Sequence, residues 1–162
     1  MEKSVREKIA DRFGTVIKEE YVHNDRRTYI TVDKTDVPMV CRFLHSELGG
    51  RLCIATATDL RGGYEILYYF MFPPEHQLVT VKTKISKTEP EIESVGAFYK
   101  AAEWIEREMY DIMGITFKNH PDPRRILMAD DWPAEVYPLR RDFCGLDDER
   151  EKYGGESRGE KR

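Results

Sequence analysis

The sequence predicts an α+β fold, with helices packed on one mainly antiparallel sheet and followed by a long irregular partner-binding segment. Three observations carry that prediction. Runs of alternating apolar residues recur through residues 16–85, and an amphipathic stripe at helical spacing occupies residues 94–113. Four prolines, Pro121, Pro123, Pro133 and Pro138, then forbid long regular structure. A chain of 162 residues is long enough for one domain with a real core and short for two.

Each element has its own signal. Ser4 is placed to cap a helix running to about Phe13, with Gly14 as its stop. Residues 16–22 and 29–32 read as a hairpin turning at Asn24-Asp25. Asp36 opens a second helix that tolerates Pro38 in its first turn, buries Val40, Phe43, Leu44 and Leu48, and ends at Gly49-Gly50. Residues 52–58 form a third strand. Residues 64–72, YEILYYFMF, are apolar on both faces and predict a central, covered strand that Pro73-Pro74 stops. Residues 78–85 alternate Val79, Val81 and Ile85 against Lys82 and Lys84, which suits a half-exposed strand.

A polar loop over residues 86–92 precedes the longest helix, opened by Glu93 or Ser94 and closed by Gly114. Phe98, Ala102, Ile105, Met109 and Ile112 step along one buried stripe of it. Glu103–Arg107 and Arg107–Asp111 are spaced as i,i+4 pairs on another face. Residues 1–113 thus form the core domain and residues 114–144 an extended docking segment. Its apolar residues, among them Ile115, Phe117, Ile126, Trp132 and Phe143, argue against disorder. Residues 145–162 are nearly devoid of apolar side chains and read as a flexible charged tail.

Bulk properties narrow the function. The net charge of −4 disfavours general binding to nucleic acid, leaving only a local basic patch at Arg124, Arg125, Arg140 and Arg141. The N-terminal residues lack the apolar core of a secretory signal, and no run approaches the roughly 18 apolar residues of a membrane span. Cys41, Cys53 and Cys144 are scattered without a CxxC, so no zinc or Fe–S ligand run is visible. Cys41 and Cys53 sit in apolar settings and are expected in the core, with Cys144 exposed.

Residues 104–143 admit two readings. In the catalytic one, His120 works with Asp130 or Asp131 in acid–base or metal chemistry. The other histidines lie on separate elements, no Ser stands in a Gly-x-Ser-x-Gly elbow, and no glycine-rich phosphate loop is present. Glu106 and Glu108 point about 200° apart on a helix and cannot act as paired acids. They read as a solvated or salt-bridged face, unless Arg107 is partly buried, organises Glu103 or Asp111, and so fixes how the loop leaves the helix. In the contact reading, Arg124–Arg125 and Arg140–Arg141 grip partner carboxylates through bidentate forks, the alternative being plain solvation. Trp132, Tyr137 and Phe143 interleave with them, and Trp, Tyr and Arg dominate interface hot spots. Anchors spread along an irregular segment, without a convergent catalytic set, favour a docking surface.

At these residues the chain resembles the C-subunit family of NADH dehydrogenase, respiratory complex I, together with its counterparts in complex I-like membrane-bound hydrogenases. The resemblance is carried by Glu106-Arg107-Glu108, Tyr110-Asp111, Gly114-Ile115 and Phe117, then His120-Pro121-Asp122 and Arg124-Arg125-Ile126-Leu127. It ends with Asp131-Trp132 and Pro138-Leu139-Arg140-Arg141-Asp142-Phe143. Asn119, Pro123, Arg141 and the linker WPAEVYP depart from the family pattern and suit a divergent, hydrogenase-type branch. The resemblance implies a non-catalytic peripheral-arm subunit without its own cofactor, on the cytoplasmic side of the membrane. It would hold a large hydrogenase-like subunit and a small Fe–S subunit in register, with Fe–S clusters, and nickel in a hydrogenase, belonging to those partners. The partner interface is then expected at Glu106, Arg107, Tyr110, Asp111, Phe117, His120, Arg124, Arg125, Trp132, Arg140, Arg141, Asp142 and Phe143. Charge reversal at Arg140 and Arg141 is expected to weaken assembly and leave the domain folded.

Overall fold

A computed structural model describes residues 3–146, so the tail expected over residues 145–162 lies almost wholly outside the described residues. The elements run α1 (Val5–Phe13), β1 (Glu19–Asn24), β2 (Arg27–Thr31), α2 (Val37–Arg42), β3 (Arg51–Leu60), β4 (Gly63–Phe72), β5 (Gln77–Ile85), β6 (Glu91–Glu93), α3 (Lys100–Met113) and β7 (Thr116–Lys118). Ser4 forms the expected cap, accepting from the Glu7 N–H while the Glu7 carboxylate accepts in return from the Ser4 N–H.

The main sheet has the order β1-β2-β5-β4-β3 and is antiparallel except between β2 and β5, where Ile30 lies beside Val81. β4 is interior, as its two apolar faces require, pairing Tyr68 with Val81 on one side and with Ala55 on the other. Its even-numbered side chains from Tyr64 to Phe72 join Val79, Val81 and the apolar sides of all three helices in one buried cluster. Burying a large side chain there stabilises the fold by about 1.5–3 kcal/mol. The opposite sheet face, with Leu67, Tyr69, Met71 and Leu78, takes no part in that cluster. The expectation that β4 is covered on both sides is therefore corrected: the helices cover one face only.

Other differences have local causes. The first strand begins at Glu19 rather than residue 16, because turns follow α1 in which the Val16 and Ile17 N–H groups bond the Phe13 carbonyl; α1 itself ends at Phe13 with Gly14 as its cap, as expected, although Gly14, at φ −54°, stays right-handed. Asp36 makes no side-chain cap, and α2 loosens into a π-turn over Phe43–Glu47. Cys41 is buried and Cys144 exposed as expected, but Cys53 is exposed because the β3–β4 register slips between Leu52 and Ile54. The polar loop contains β6, which pairs in parallel with β7 through Ile92 and Phe117. The long helix begins at Lys100 rather than residue 94, because the backbone of residues 94–96 is turned onto the buried carboxylate of Glu106.

Candidate docking site

Glu106 lies on the inner side of α3, fully buried and not on the solvated face that the helical spacing suggested, with His120 Nε2 3.9 Å from its Oε2. Oε1 accepts from the Tyr68 hydroxyl at 3.1 Å and the Val95 N–H at 2.8 Å, and Oε2 from the Ser94 hydroxyl at 2.5 Å and the Gly96 N–H at 3.2 Å. Four donors fill the acceptor sites of one carboxylate. Burial raises its pKa against the pull of these bonds, and burial likewise pushes the Tyr68 phenol well up. Gly96 belongs here sterically, since a Cβ would lie 3.1 Å from both the Glu103 Cα and Glu106 Oε2.

On the outer side of α3, Arg107 and Asp111 hold the irregular segment. Arg107 donates through Nε to the Arg124 carbonyl at 2.8 Å and through Nη2 to the Arg125 carbonyl at 2.9 Å, and Nη1 lies 3.2 Å from Asp122. Asp111 Oδ2 accepts the successive N–H groups of Ile126, Leu127 and Met128 at 3.1, 2.7 and 2.7 Å, with Arg125 Nε 3.5 Å from Oδ1. Burial acts to raise the Asp111 pKa, but the three N–H groups and Arg125 outweigh it, and the net shift is downward. Arg107 does fix how the loop leaves the helix. It does so by holding loop carbonyls and Asp122, and not through the expected bonds to Glu103 and Asp111.

His120 bridges the same elements. Its Nδ1 accepts from the Asp122 N–H at 3.0 Å, so Nε2 carries the proton and donates to the Glu103 carbonyl at 3.0 Å. Asp122 also receives the Arg124 fork at 2.6 and 2.8 Å, and Arg124 chiefly lowers its pKa to about 2. Asp130 and Asp131 are exposed and form no hydrogen bond with His120 among the described residues. A cleft of about 310 Å³ opens between α3 and the segment, lined by Glu106, Arg107, Tyr110, Phe117, His120 and Pro123.

Farther along, Trp132 Nε1 donates to the Val136 carbonyl at 2.8 Å, its carbonyl accepts from Arg125, and its ring lies 6.5 Å from that of Phe143. Arg140 donates to the Met113 carbonyl at 2.8 Å, with its guanidinium 4.1 Å from the Tyr137 ring and 5.6 Å from that of Tyr64. Gly114, at φ +70°, leaves the space that this stack fills, since a Cβ would meet Arg140 and Tyr137. Arg140 is thus an internal staple, and charge reversal there would disturb the fold as well as any interface. Arg141 and Asp142 are exposed, and the Arg141 N–H donates to Asp59 Oδ2 at 2.9 Å.

Asp59, Tyr68 and Ser94 were missed by sequence reasoning. Asp59, on β3, is buried, takes Lys87 as ion partner, and ties the end of the segment to the sheet across 82 residues. Only its place in an otherwise apolar and Thr-rich strand marks it. Ser94, expected as a helix cap, instead gives its hydroxyl to Glu106. The outcome is a segment fixed through backbone groups at residues 124–128 and through the side chains of Arg125, Trp132 and Arg140, with Arg124, Leu127, Asp130, Asp131, Leu139 and Arg141 exposed.

Comparison with known proteins identifies the family and the fold. The family model for the respiratory-chain NADH dehydrogenase 30 Kd subunit matches residues 30–149. The C subunit of an NADH-quinone oxidoreductase from Geobacter metallireducens is 40% identical over 131 residues, covering 78% of this chain and 80% of the relative. The C subunit of an F420H2 dehydrogenase from Methanosarcina mazei is 32% identical over 147 residues, covering 89% and 92%. Among solved structures, a chain of a membrane-bound sulfane sulfur reductase, an archaeal respiratory membrane complex, superposes with a TM-score of 0.79 at 23% identity, covering 98% of this chain and 94% of that one, which establishes the shared fold.

Proposed function

Because the chain belongs to the family of the respiratory-chain NADH dehydrogenase 30 Kd subunit, also called the C-subunit family, we propose that it acts as a non-catalytic scaffold in the peripheral arm of a complex I-like oxidoreductase. Its role is to hold a large hydrogenase-like subunit and a small Fe–S subunit in register, since electron transfer between centres falls steeply with positional error. Fe–S clusters, and nickel where the assembly is a hydrogenase, reside in those partners. Attachment to the cytoplasmic face of the membrane is through them, and no helix among the described residues is long and apolar enough to cross a bilayer.

One observation supports this reading above the others. The Asp111 and Arg107 contacts consume five backbone groups of residues 124–128 and so preform the loop while the side chains of Arg124 and Leu127 remain exposed. A preformed loop loses less conformational freedom on binding, which is how a small irregular surface reaches useful affinity. His120, the centre of the catalytic alternative, has both ring nitrogens engaged in holding this loop.

The test is gentle purification of the tagged chain from its native host, with identification of associated subunits and measurement of Fe and Ni. Co-purifying Fe–S subunits support the scaffold, and nickel selects the hydrogenase branch. A lone chain recovered from intact complexes, or activity in that lone chain lost on His120→Ala, overturns it.

A further inference from the structure

The sheet face turned away from the helices has an unusual composition. Antiparallel sheets solvated on one side normally alternate to polar residues there. Here one row across all five strands reads Tyr21, Tyr29, Thr80, Tyr69 and Ile54, from the pairings of β1 with β2, β2 with β5, β5 with β4 and β4 with β3. Met71 and Leu78 stand side by side on one flank of this row, and Leu67 stands beside Lys82 on the other. At about 4.8 Å per strand the row is roughly 19 Å wide. Contiguous apolar surface of this kind marks an interaction site.

The relief is uneven. Tyr21 and Ile54, at opposite edges, are 57% and 53% exposed, whereas Thr80 and Leu67, in the middle, are 1% and 9% exposed. The centre is therefore closed over by its own side chains, Thr80 standing between Tyr29 and Tyr69, and the row is wider than a helix of about 10–12 Å diameter. At one end of the face lies a hollow of about 290 Å³ lined by Arg26, Arg27, Met71, His76 and Leu78.

Charge selects the occupant. On this face Lys82 is paired with Glu65, and Arg27 and Arg51 at one end have no ion-pair partner among the described residues, whereas at the other end Lys84 stands opposite Glu65 and shares the face with the exposed Glu19 of β1. Two copies placed face to face would bring these cations together, which is costly. Residues 147–162 of the chain itself carry Tyr153 as their one large apolar side chain and cannot supply an apolar stripe. We propose that this face is the seat of an amphipathic helix with acidic flanks, contributed by a neighbouring subunit. Apolar residues at i, i+3 or i+4, and i+7 would lie along Met71/Leu78, Tyr69 and Leu67, and flanking carboxylates would meet Arg27 and Arg51. The inference rests on the reading of the chain as a subunit of an assembly, and it adds a second contact surface behind the docking segment.

The test places p-benzoylphenylalanine at Ile54 in one protein and at Leu127, on the docking segment, in another. Each is expressed in the native host, and the complex is purified and irradiated. The expected result is a crosslink from Ile54 to an Asp/Glu-flanked helix of another subunit, distinct from the Leu127 crosslink. Arg27→Glu with Arg51→Glu should cut the Ile54 crosslink at least about tenfold and leave the Leu127 crosslink unchanged. A crosslink from Ile54 to lipid, to a second copy or to a non-acidic surface overturns the proposal, as does none while Leu127 crosslinks. If neither label reaches a subunit, the assembly reading itself falls, and this proposal with it.

Discussion

Removing the Asp111 carboxylate should release residues 126–128 without unfolding the domain. Three N–H groups converge on one oxygen of this anion at 2.7 to 3.1 Å. Hydrogen bonds to a charged acceptor contribute about 1.5–3 kcal/mol each, against about 1 for a neutral one. Leu127 is 53% exposed, so water re-solvates the freed amides and the lower end applies. Asp111→Ala then costs the loop about 4 kcal/mol, and Asp111→Asn, which keeps an acceptor but loses the charge, about 1.5 kcal/mol. Amide hydrogen exchange reads this directly, because local opening free energy sets the rate. Exchange at Ile126, Leu127 and Met128 should accelerate about 1,000-fold in the alanine variant and about tenfold in the asparagine variant. The amides of Tyr68 and Phe70 on interior β4 should be nearly unaffected. Unchanged exchange at the loop amides in Asp111→Ala, or equal acceleration in β4, would refute the idea of a local clasp.

Acid should open the same clasp. The folded pKa values of Asp111 and Asp122 are depressed, the latter to about 2, so the stability they contribute is present above the unfolded value of about 3.9 and lost as pH falls through the folded values. Glu106 has the opposite sign: its raised pKa gives a contribution present below about 4.3 and lost as pH rises through the folded value, so it does not drive acid opening. Protection at residues 126–128 should therefore fall between about pH 4 and 2, and a fall already complete at pH 6 would contradict these assignments. Glu106→Gln puts an amide N–H₂ against two donors of its four-donor shell and should lower urea stability by about 2–4 kcal/mol, so an unchanged midpoint would count against a buried anion. Gly114→Ala combines a positive φ with a collision against Tyr137 and Arg140 and should cost more than about 1 kcal/mol, together with a change in Trp132 emission; native emission and stability would show the stack to be loose.

The strands were legible because their signal is local. The alternation in residues 78–85 and the two apolar faces of residues 64–72 follow from the pleat alone, and the loop–helix–loop order follows from Pro and Gly positions. The parallel pairing of β2 with β5 was not legible, since it joins residues about fifty positions apart through no turn signal. The burial of Glu106 was hidden because i,i+4 spacing describes neighbours on a helix and says nothing of donors brought in from residues 68 and 94–96. The same blindness concealed Asp59, whose partner lies at residue 141. The irregular segment was legible from its prolines, but the fixation of residues 124–128 through backbone groups leaves no mark on their side-chain identity.

A scaffold role requires the segment to be preformed in the free chain and covered in the assembly. Hydroxyl-radical footprinting of the free chain and of the purified native complex measures this at Leu127 and Leu139, which are 53% and 59% exposed. Both should label strongly in the free chain and lose labelling in the complex, with the buried Tyr68 unlabelled throughout. Equal labelling of Leu127 and Leu139 in both samples would contradict the scaffold role.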